Sequence, residues 1–339
     1  MKFDLTQFIA EIGVNHENSM ENAKLMIDEC VELGVGAVKF QSYKASKLAA
    51  EDSPAYWDQT KETTSSQKKL FSKYDVFGIN EFVELAQYCQ ENKIEFMSTP
   101  FDTEYVWELN DYVKRFKVAS VDCTNHILLK EIARTKKPVI MSVGATTLAE
   151  IEASVQLLFF YGTTELTLLH CIVNYPTAFS NAGLAHIRTL KEKFPDCKIG
   201  YSDHTVPEES QLVLLAAIAN GADVIEKHYT FDRKLPGNDH YHAFEKNDLA
   251  DFAASLTIWN GCQDKQDLEI QQKSIRYARR GLYANRNIKS GEVLCLADVL
   301  PLRPLLDYLP ANDLGNILGA KALIDIERGV GIRAEDVVK

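Results

Sequence analysis

The sequence predicts a (β/α)₈ barrel followed by a small second domain. Three observations carry that reading. Eight short apolar runs recur between residue 7 and residue 228, longer stretches of helical periodicity separate them, and the pattern changes after Asn260. Near-continuous apolar runs joined by helical crossovers describe a parallel sheet covered on both faces. Eight such units in about 250 residues is the count of a closed barrel. An open doubly wound sheet is the alternative. No GxGxxG follows the first run, which argues against a dinucleotide site.

Catalytic groups of such barrels sit at the C-terminal ends of the strands, so the end of each run is where function is sought. QFIAEIG (7–13) ends with Glu11, and GAVKFQ (36–41) with Lys39 and Gln41. IEFMST (94–99) offers Ser98 and Thr99, and RFKVAS (115–120) Lys117 and Ser120. PVIMSVG (138–144) offers Ser142, and Tyr175 follows LTLLHC (166–171). CKIGYS (197–202) leads into Ser202, Asp203 and His204, and DVIEKH (223–228) closes on Lys227 and His228. Helices are expected at 21–34, 80–93 and 206–221. The connection 42–79 exceeds an ordinary βα loop and is expected to carry extra structure over the mouth. The barrel is assigned to 1–262, a polar linker or final helix to 263–279, and a compact domain to 280–339. Within the last, NIKSGEVL and DIERGVGI look alike.

The chemistry of these ends is specific. Lys39 and Lys117 among Ser and Thr hydroxyls suit a small, densely anionic ligand, because ammonium groups neutralise phosphate or carboxylate and hydroxyls donate without adding charge. The competing reading is that both lysines pair with acids or lay their stems along apolar surface. His204 and His228 end adjacent strands and can meet one divalent ion with positions left for water and substrate. The competing reading is a pair of hydrogen-bonded core histidines. His240 and His242 fall in a loop able to cover the site.

Composition narrows the class. A formal net charge of −11 argues against nucleic-acid or anionic-membrane partners. No apolar run reaches the roughly 18 residues of a membrane helix, and the N-terminus lacks a signal-peptide layout. The seven scattered cysteines read as reduced thiols of a cytoplasmic protein, with Cys171 a buried structural thiol.

The segments AEIGVNH (10–16), VKFQSY (38–43), STPFD (98–102), KVAS (117–120), NYPT (174–177), YSDHT (201–205), EKHYT (226–230) and PGNDH (236–240) together resemble the sialic acid synthase (N-acetylneuraminate synthase) family. RRGLYANRNIKSGE and ILGAKA resemble its C-terminal antifreeze-like (SAF) domain. The resemblance implies a metal-dependent synthase using Mn²⁺ or Mg²⁺. It would condense phosphoenolpyruvate with the aldehyde of an N-acyl hexosamine and release phosphate. It also implies a domain-swapped homodimer. The family's phosphoenolpyruvate contacts fall on Lys39, Thr99, Lys117, Ser120, Ser142 and Ser202, its metal ligands on His204 and His228, and its early carboxylate on Glu11. Its sugar contacts fall on Gln41, Asp122, Tyr175 and Asp239, and on Arg303, the arginine that reaches across the dimer.

Departures gather on the sugar side. Asp122 stands where a glutamate is common, Val121 where a glycine is, and Val173 where a polar residue is frequent. PGNDH replaces PGPDH and is followed by YHAF, and RPLLD (303–307) replaces a glycine-rich turn. A changed pocket implies a changed sugar: N-acetylmannosamine or a diacetamido-trideoxyhexose are candidates. Two rivals remain, an eight-carbon keto-deoxy acid synthase and a non-catalytic sugar-binding or scaffold protein on the same fold.

Overall fold

The computed structural model describes residues 2–263 and 267–339. They form two compact units that divide after Gln263.

In the first unit the eight strands are β1 (Phe8–Gly13), β2 (Ala37–Ser42), β3 (Glu95–Pro100), β4 (Phe116–Val118), β5 (Val139–Ser142), β6 (Leu166–Cys171), β7 (Lys198–Asp203) and β8 (Ile225–His228). All are parallel, ordered β3-β2-β1-β8-β7-β6-β5-β4, with β3 beside β4 to close the ring. Helices α1 (Met20–Glu32), α2 (Ala45–Leu48), α3 (Gln67–Tyr74), α4 (Ile79–Glu91), α5 (Thr103–Glu108), α6 (His126–Arg134), α7 (Leu148–Tyr161), α8 (His186–Lys193), α9 (Leu212–Ala219) and α10 (Lys246–Cys262) follow. Their ends obey capping chemistry. Thr147 and Glu150 form a reciprocal box at the start of α7, and Gly162 ends it with φ +117°. Helix α9 begins later than 206, because Gln211 adopts φ 51° and the Glu208 carboxylate takes the Ser210 and Leu212 amides into a turn.

Alternation along each strand sorts the side chains into two sets. One set faces the helices and builds the main core, including Phe8, Ile12, Val38, Phe40, Phe96, Phe116, Leu168 and Tyr201. The other fills the barrel. Ile9, Ala37, Met97, Ile140, Leu169 and Val224 form its buried base layer. Gly200 completes the layer because a Cβ there would fall 2.4 Å from the Val224 carbonyl oxygen and 2.6 Å from Leu169 Cδ2. Two residues further along those strands stand Glu11, Lys39, Thr99, Ser142, Cys171 and Glu226. The apolar base therefore gives way to polar groups in a single step of the pleat.

The long connection after β2 does carry extra structure. It contains α2 and α3, and Pro54 bridges Ser66. Lys44 Nζ donates to the carbonyls of Asp75 (2.6 Å) and Phe77 (2.9 Å), which ties the two ends of the excursion together.

The second unit pairs β9 (Gly281–Ala284) with β10 (Val299–Leu302), and β11 (Lys321–Ala322) with β12 (Val337–Val338), both antiparallel. Helix α11 (Gln272–Ala278) precedes β9 and occupies part of the stretch expected as a linker, and α12 (Leu314–Ile317) follows β10. The look-alike segments pair with each other: Ile288 and Ile326 exchange both backbone hydrogen bonds, at 2.8 and 2.9 Å. The likeness extends at constant offset through Ala284 and Ala322, Gly291 and Gly329 (φ +90° and +82°), Leu294 and Ile332, and Asp298 and Asp336. Leu294, Ile332, Ile288 and Ile326 share one small core.

Candidate active site

A cavity of about 360 Å³ opens at the C-terminal ends of the strands. Glu11, Lys39, Gln41, Thr99, Lys117, Ser120, Asp122, Ser142, Tyr175, Ser202, His204, His228 and Asp239 all line it. Every barrel residue singled out from the sequence as a site residue by family likeness is thus at one place.

The floor is a buried charge network. Lys39 Nζ contacts the Glu11 carboxylate, donates to Thr99 Oγ1 at 3.1 Å and lies 3.9 Å from Glu226. Lys117 Nζ lies 3.4 Å from Glu226, which also accepts from Ser202 Oγ at 3.0 Å. Burial works against the charge on Lys39, but Glu11 and Glu226 outweigh it and hold its pKa above the ordinary lysine value. Burial dominates at Lys117 and lowers its pKa despite Glu226. Burial raises Glu11, which Lys39 opposes and Glu226 reinforces. Glu11 is thus a carboxyl poised to take or give a proton beside a fixed ammonium. Gly13 makes this packing possible: its φ is +55°, and a Cβ would meet Gln41 Nε2 at 2.8 Å and Glu11 Oε1 at 2.9 Å.

Hydroxyls line the adjoining wall. Ser120 Oγ accepts from the Gly144 amide at 3.0 Å, and Ser142 Oγ is buried with no hydrogen-bond partner among the described residues. Such a group awaits a ligand oxygen.

On the opposite rim three imidazoles converge. Ring centroids of His204 and His228 are 5.4 Å apart, and His242 stands 4.7 Å from His228 and 5.6 Å from His204. One nitrogen from each lies within 4.8 Å of the others. The Ile172 carbonyl accepts from His204 Nδ1 at 2.9 Å, which leaves Nε2 as the nitrogen this ring can offer an ion. Burial works against a charge on His204, but the neighbouring Cys171 thiol outweighs it and raises the imidazole pKa. Burial, followed by the neighbouring imidazoles, holds His228 and His242 well below the ordinary histidine value, so both are neutral. Buried imidazoles whose nitrogens lack partners among the described residues, as at His228 and His242, fit a divalent ion.

The sugar-side candidates form the upper wall. Gln41 Nε2 donates to Glu11 Oε1 (2.9 Å) and Asp239 Oδ2 (3.2 Å). Asn125 donates to Asp122 Oδ1 at 3.0 Å while Oδ2 has no hydrogen-bond partner among the described residues, and burial raises the pKa of both Asp122 and Asp239. The Tyr175 ring lies 4.2 Å from that of His204. The long connection adds Tyr43, Leu48, Tyr56, Trp57, Leu70, Phe71 and Tyr74, and Val121 and Val173 also line the wall. Arg303 belongs to the second unit, where it is exposed.

Three strand-end residues turn away. Ser98 bonds Ser42, Asp203 accepts from Tyr201 at 2.8 Å, and Lys227 pairs with Asp203 over the Phe244 ring. Each is one residue out of phase with the inward positions Thr99, Ser202 and His228, so the pleat sends it outward. Sequence reasoning missed Glu226, although it shares the phase of His228, and it placed His242 in a covering loop without bringing it to the other two histidines. Cys171 is buried as expected, but it lines the cavity, with Sγ 3.7 Å from His204 Nδ1.

Residues 26–265 match the NeuB family, and residues 279–338 match the SAF domain. The chain belongs to the NeuB family. Individual NeuB relatives agree. The N,N'-diacetyllegionaminic acid synthase of Campylobacter jejuni is 36% identical over 307 residues, covering 88% of this chain and 90% of that protein. The N-acetylneuraminate-9-phosphate synthase of Drosophila melanogaster is 32% identical over 260 residues, covering 75% and 68%. The structure of N-acetylneuraminic acid (sialic acid) synthetase from Leptospira borgpetersenii in complex with citrate aligns with a TM-score of 0.68 and 33% identity, over 79% of this chain and 88% of that one. These NeuB relatives are nonulosonic acid synthases, which supports a carbon–carbon bond-forming enzyme here. No helix among the described residues is long and apolar enough to cross a membrane.

Proposed function

We propose that this protein condenses phosphoenolpyruvate with the open-chain aldehyde of an N-acyl amino sugar, giving a nonulosonic acid and inorganic phosphate. The observation that carries the reading is the convergence of Lys39, Lys117, Thr99, Ser120, Ser142 and Ser202 on one cavity beside Glu11 and the histidines. Lys39 and Lys117 hold the phosphate and carboxylate of phosphoenolpyruvate, and the hydroxyls donate to its oxygens. His204 and His228 hold a divalent ion, manganese or magnesium on the family likeness, which supplies polarisation of the sugar carbonyl when bound. The phosphoenolpyruvate methylene carbon bonds to the aldehyde carbon, whose oxygen takes a proton. Water adds at C2, phosphate leaves with C–O cleavage, and Glu11 manages a proton beside these centres.

The sugar is unphosphorylated in this reading. Both lysines of the lining lie at the floor, and the upper wall that would face a distal phosphate is built from Tyr56, Trp57, Leu70, Phe71 and Val173. An aromatic and aliphatic wall suits N-acyl methyl groups or a deoxy carbon. Gln41, Asp122, Tyr175 and Asp239 take the polar groups of the sugar. Arg303 reaches the N-acyl end from the partner of a domain-swapped homodimer, so Arg303→Ala raises the sugar KM.

The test incubates the protein with phosphoenolpyruvate, Mn²⁺ or Mg²⁺, and a panel of N-acylated hexosamines with and without 6-deoxygenation and phosphorylation. Phosphate release and product mass are read. Turnover with an unphosphorylated member supports the reading. Phosphate release with none of the panel defeats it, and turnover confined to phosphorylated sugars overturns the sugar assignment.

A further inference from the structure

His242 reaches the histidine cluster from a loop, not from a strand tip. The chain leaves β8 at His228, makes an excursion, and returns alongside it. The Phe244 amide donates to the His228 carbonyl at 2.7 Å, the Thr230 amide donates to the Phe244 carbonyl at 2.8 Å, and Tyr229 bridges Phe244 in parallel. That clip seats His242 beside His228.

The seat is an awkward one for a histidine that only packs. His242 has no exposure, and neither ring nitrogen has a hydrogen-bond partner among the described residues. A buried imidazole must place one N–H and one lone pair, and leaving both without partners is costly. His228 Nδ1 is likewise without a hydrogen bond. His204 is committed on Nδ1 to the Ile172 carbonyl, so Nε2 is the nitrogen it can offer an ion. Rings of Tyr175 and Tyr241 pack on His242 with centroids 5.3 Å away, which restrains its orientation without satisfying it.

We propose that His242 is a third protein ligand of the divalent ion, so that the ion is held by three imidazole nitrogens. The proposal rests on the reading that His204 and His228 hold an ion. It also goes beyond it: a three-nitrogen face ranks late first-row ions such as Zn²⁺, Co²⁺ and Ni²⁺ above Mn²⁺, and above Mg²⁺, which prefers oxygen. His242→Ala is expected to shift that ranking back toward the oxygen-preferring ions.

The experiment uses the full chain stripped with a chelator and titrated with Co²⁺, read by stoichiometry, affinity and visible absorption. Wild type is expected to bind one Co²⁺ per chain. Ligand loss should exceed the roughly 10–100-fold effect of removing an outer partner, so His242→Ala and His242→Gln should weaken Co²⁺ by more than about 100-fold and change its visible bands. Tyr241→Phe should leave both unchanged. X-ray absorption on the Co²⁺-loaded wild type counts the imidazoles without any variant, and three are expected. Two imidazoles, or His242 variants with wild-type affinity and spectrum, overturn the third ligand while leaving the two-histidine ion intact. No stoichiometric Co²⁺ in wild type overturns both.

Discussion

The two ends of the barrel use the same strands to opposite effect. At the base, Ile9, Ala37, Met97, Ile140, Leu169 and Val224 seal the interior. Charged residues of that end pair off singly at its rim, as Arg115 does with Glu95 (2.9 Å) and Lys198 with Glu165 (3.3 Å). At the mouth, two residues along, two ammonium groups and two carboxylates are buried together, and hydroxyl and imidazole atoms lack partners. Polar residues therefore do not by themselves mark the functional end. Burial with unmet hydrogen-bonding capacity does, because it costs stability and persists only where a ligand recovers it.

The contrast is breakable from either side. The largest effect is expected at the floor of the mouth. Lys117→Met should reduce kcat/KM by roughly 10²–10³-fold, the scale of removing a preorganised charge-stabilising donor, measured as phosphate release from phosphoenolpyruvate. At the base, Leu169→Ala should leave the KM for phosphoenolpyruvate unchanged and cost about 2–5 kcal/mol of stability through the cavity it opens, read by denaturant unfolding.

A third prediction uses His16, buried under the long connection with its ring 4.4 Å from that of Phe77. Burial pushes its pKa down to about 4. Between about pH 6.5 and 4 the unfolded chain binds a proton that the native state refuses. Stability is therefore full above pH 6.5 and declines toward pH 4, by about 3 kcal/mol at most. His16→Phe should flatten that part of the stability–pH curve, and an unchanged slope would show that His16 protonates in the native protein.

Smaller effects sharpen the same line. Ser142→Ala removes a buried hydroxyl without a partner, so it should raise the KM for phosphoenolpyruvate at little or no loss of stability. Lys198→Met removes one half of an exposed pair, and stability should move by less than about 1 kcal/mol with kinetics unchanged.

The strands were legible because a sheet buried on both faces writes itself as apolar runs, and all eight fall within two residues of their expected limits. The site was legible in place but not in phase. A run such as DVIEKH shows that its end is polar, yet only the observed register assigns Glu226 and His228 inward and Lys227 outward. His242 was legible only as part of a covering loop, since its place beside His228 depends on where that loop returns. The wall contributed by the long connection was foreseen as a cover, but its aromatic character at Tyr56, Trp57 and Phe71 acquires meaning only once those rings face the cavity.

The paired halves of the second unit carry a consequence of their own. Ile288 and Ile326 each complete the backbone hydrogen bonding of the other, and the two glycine turns stand in equivalent places. Each half thus presents an edge that its twin saturates. A chain severed in the segment between α12 and β10 is expected to stay assembled as a non-covalent pair, whereas either fragment alone lacks half of its small core. The arrangement is what tandem copying of one short ancestral segment would leave behind.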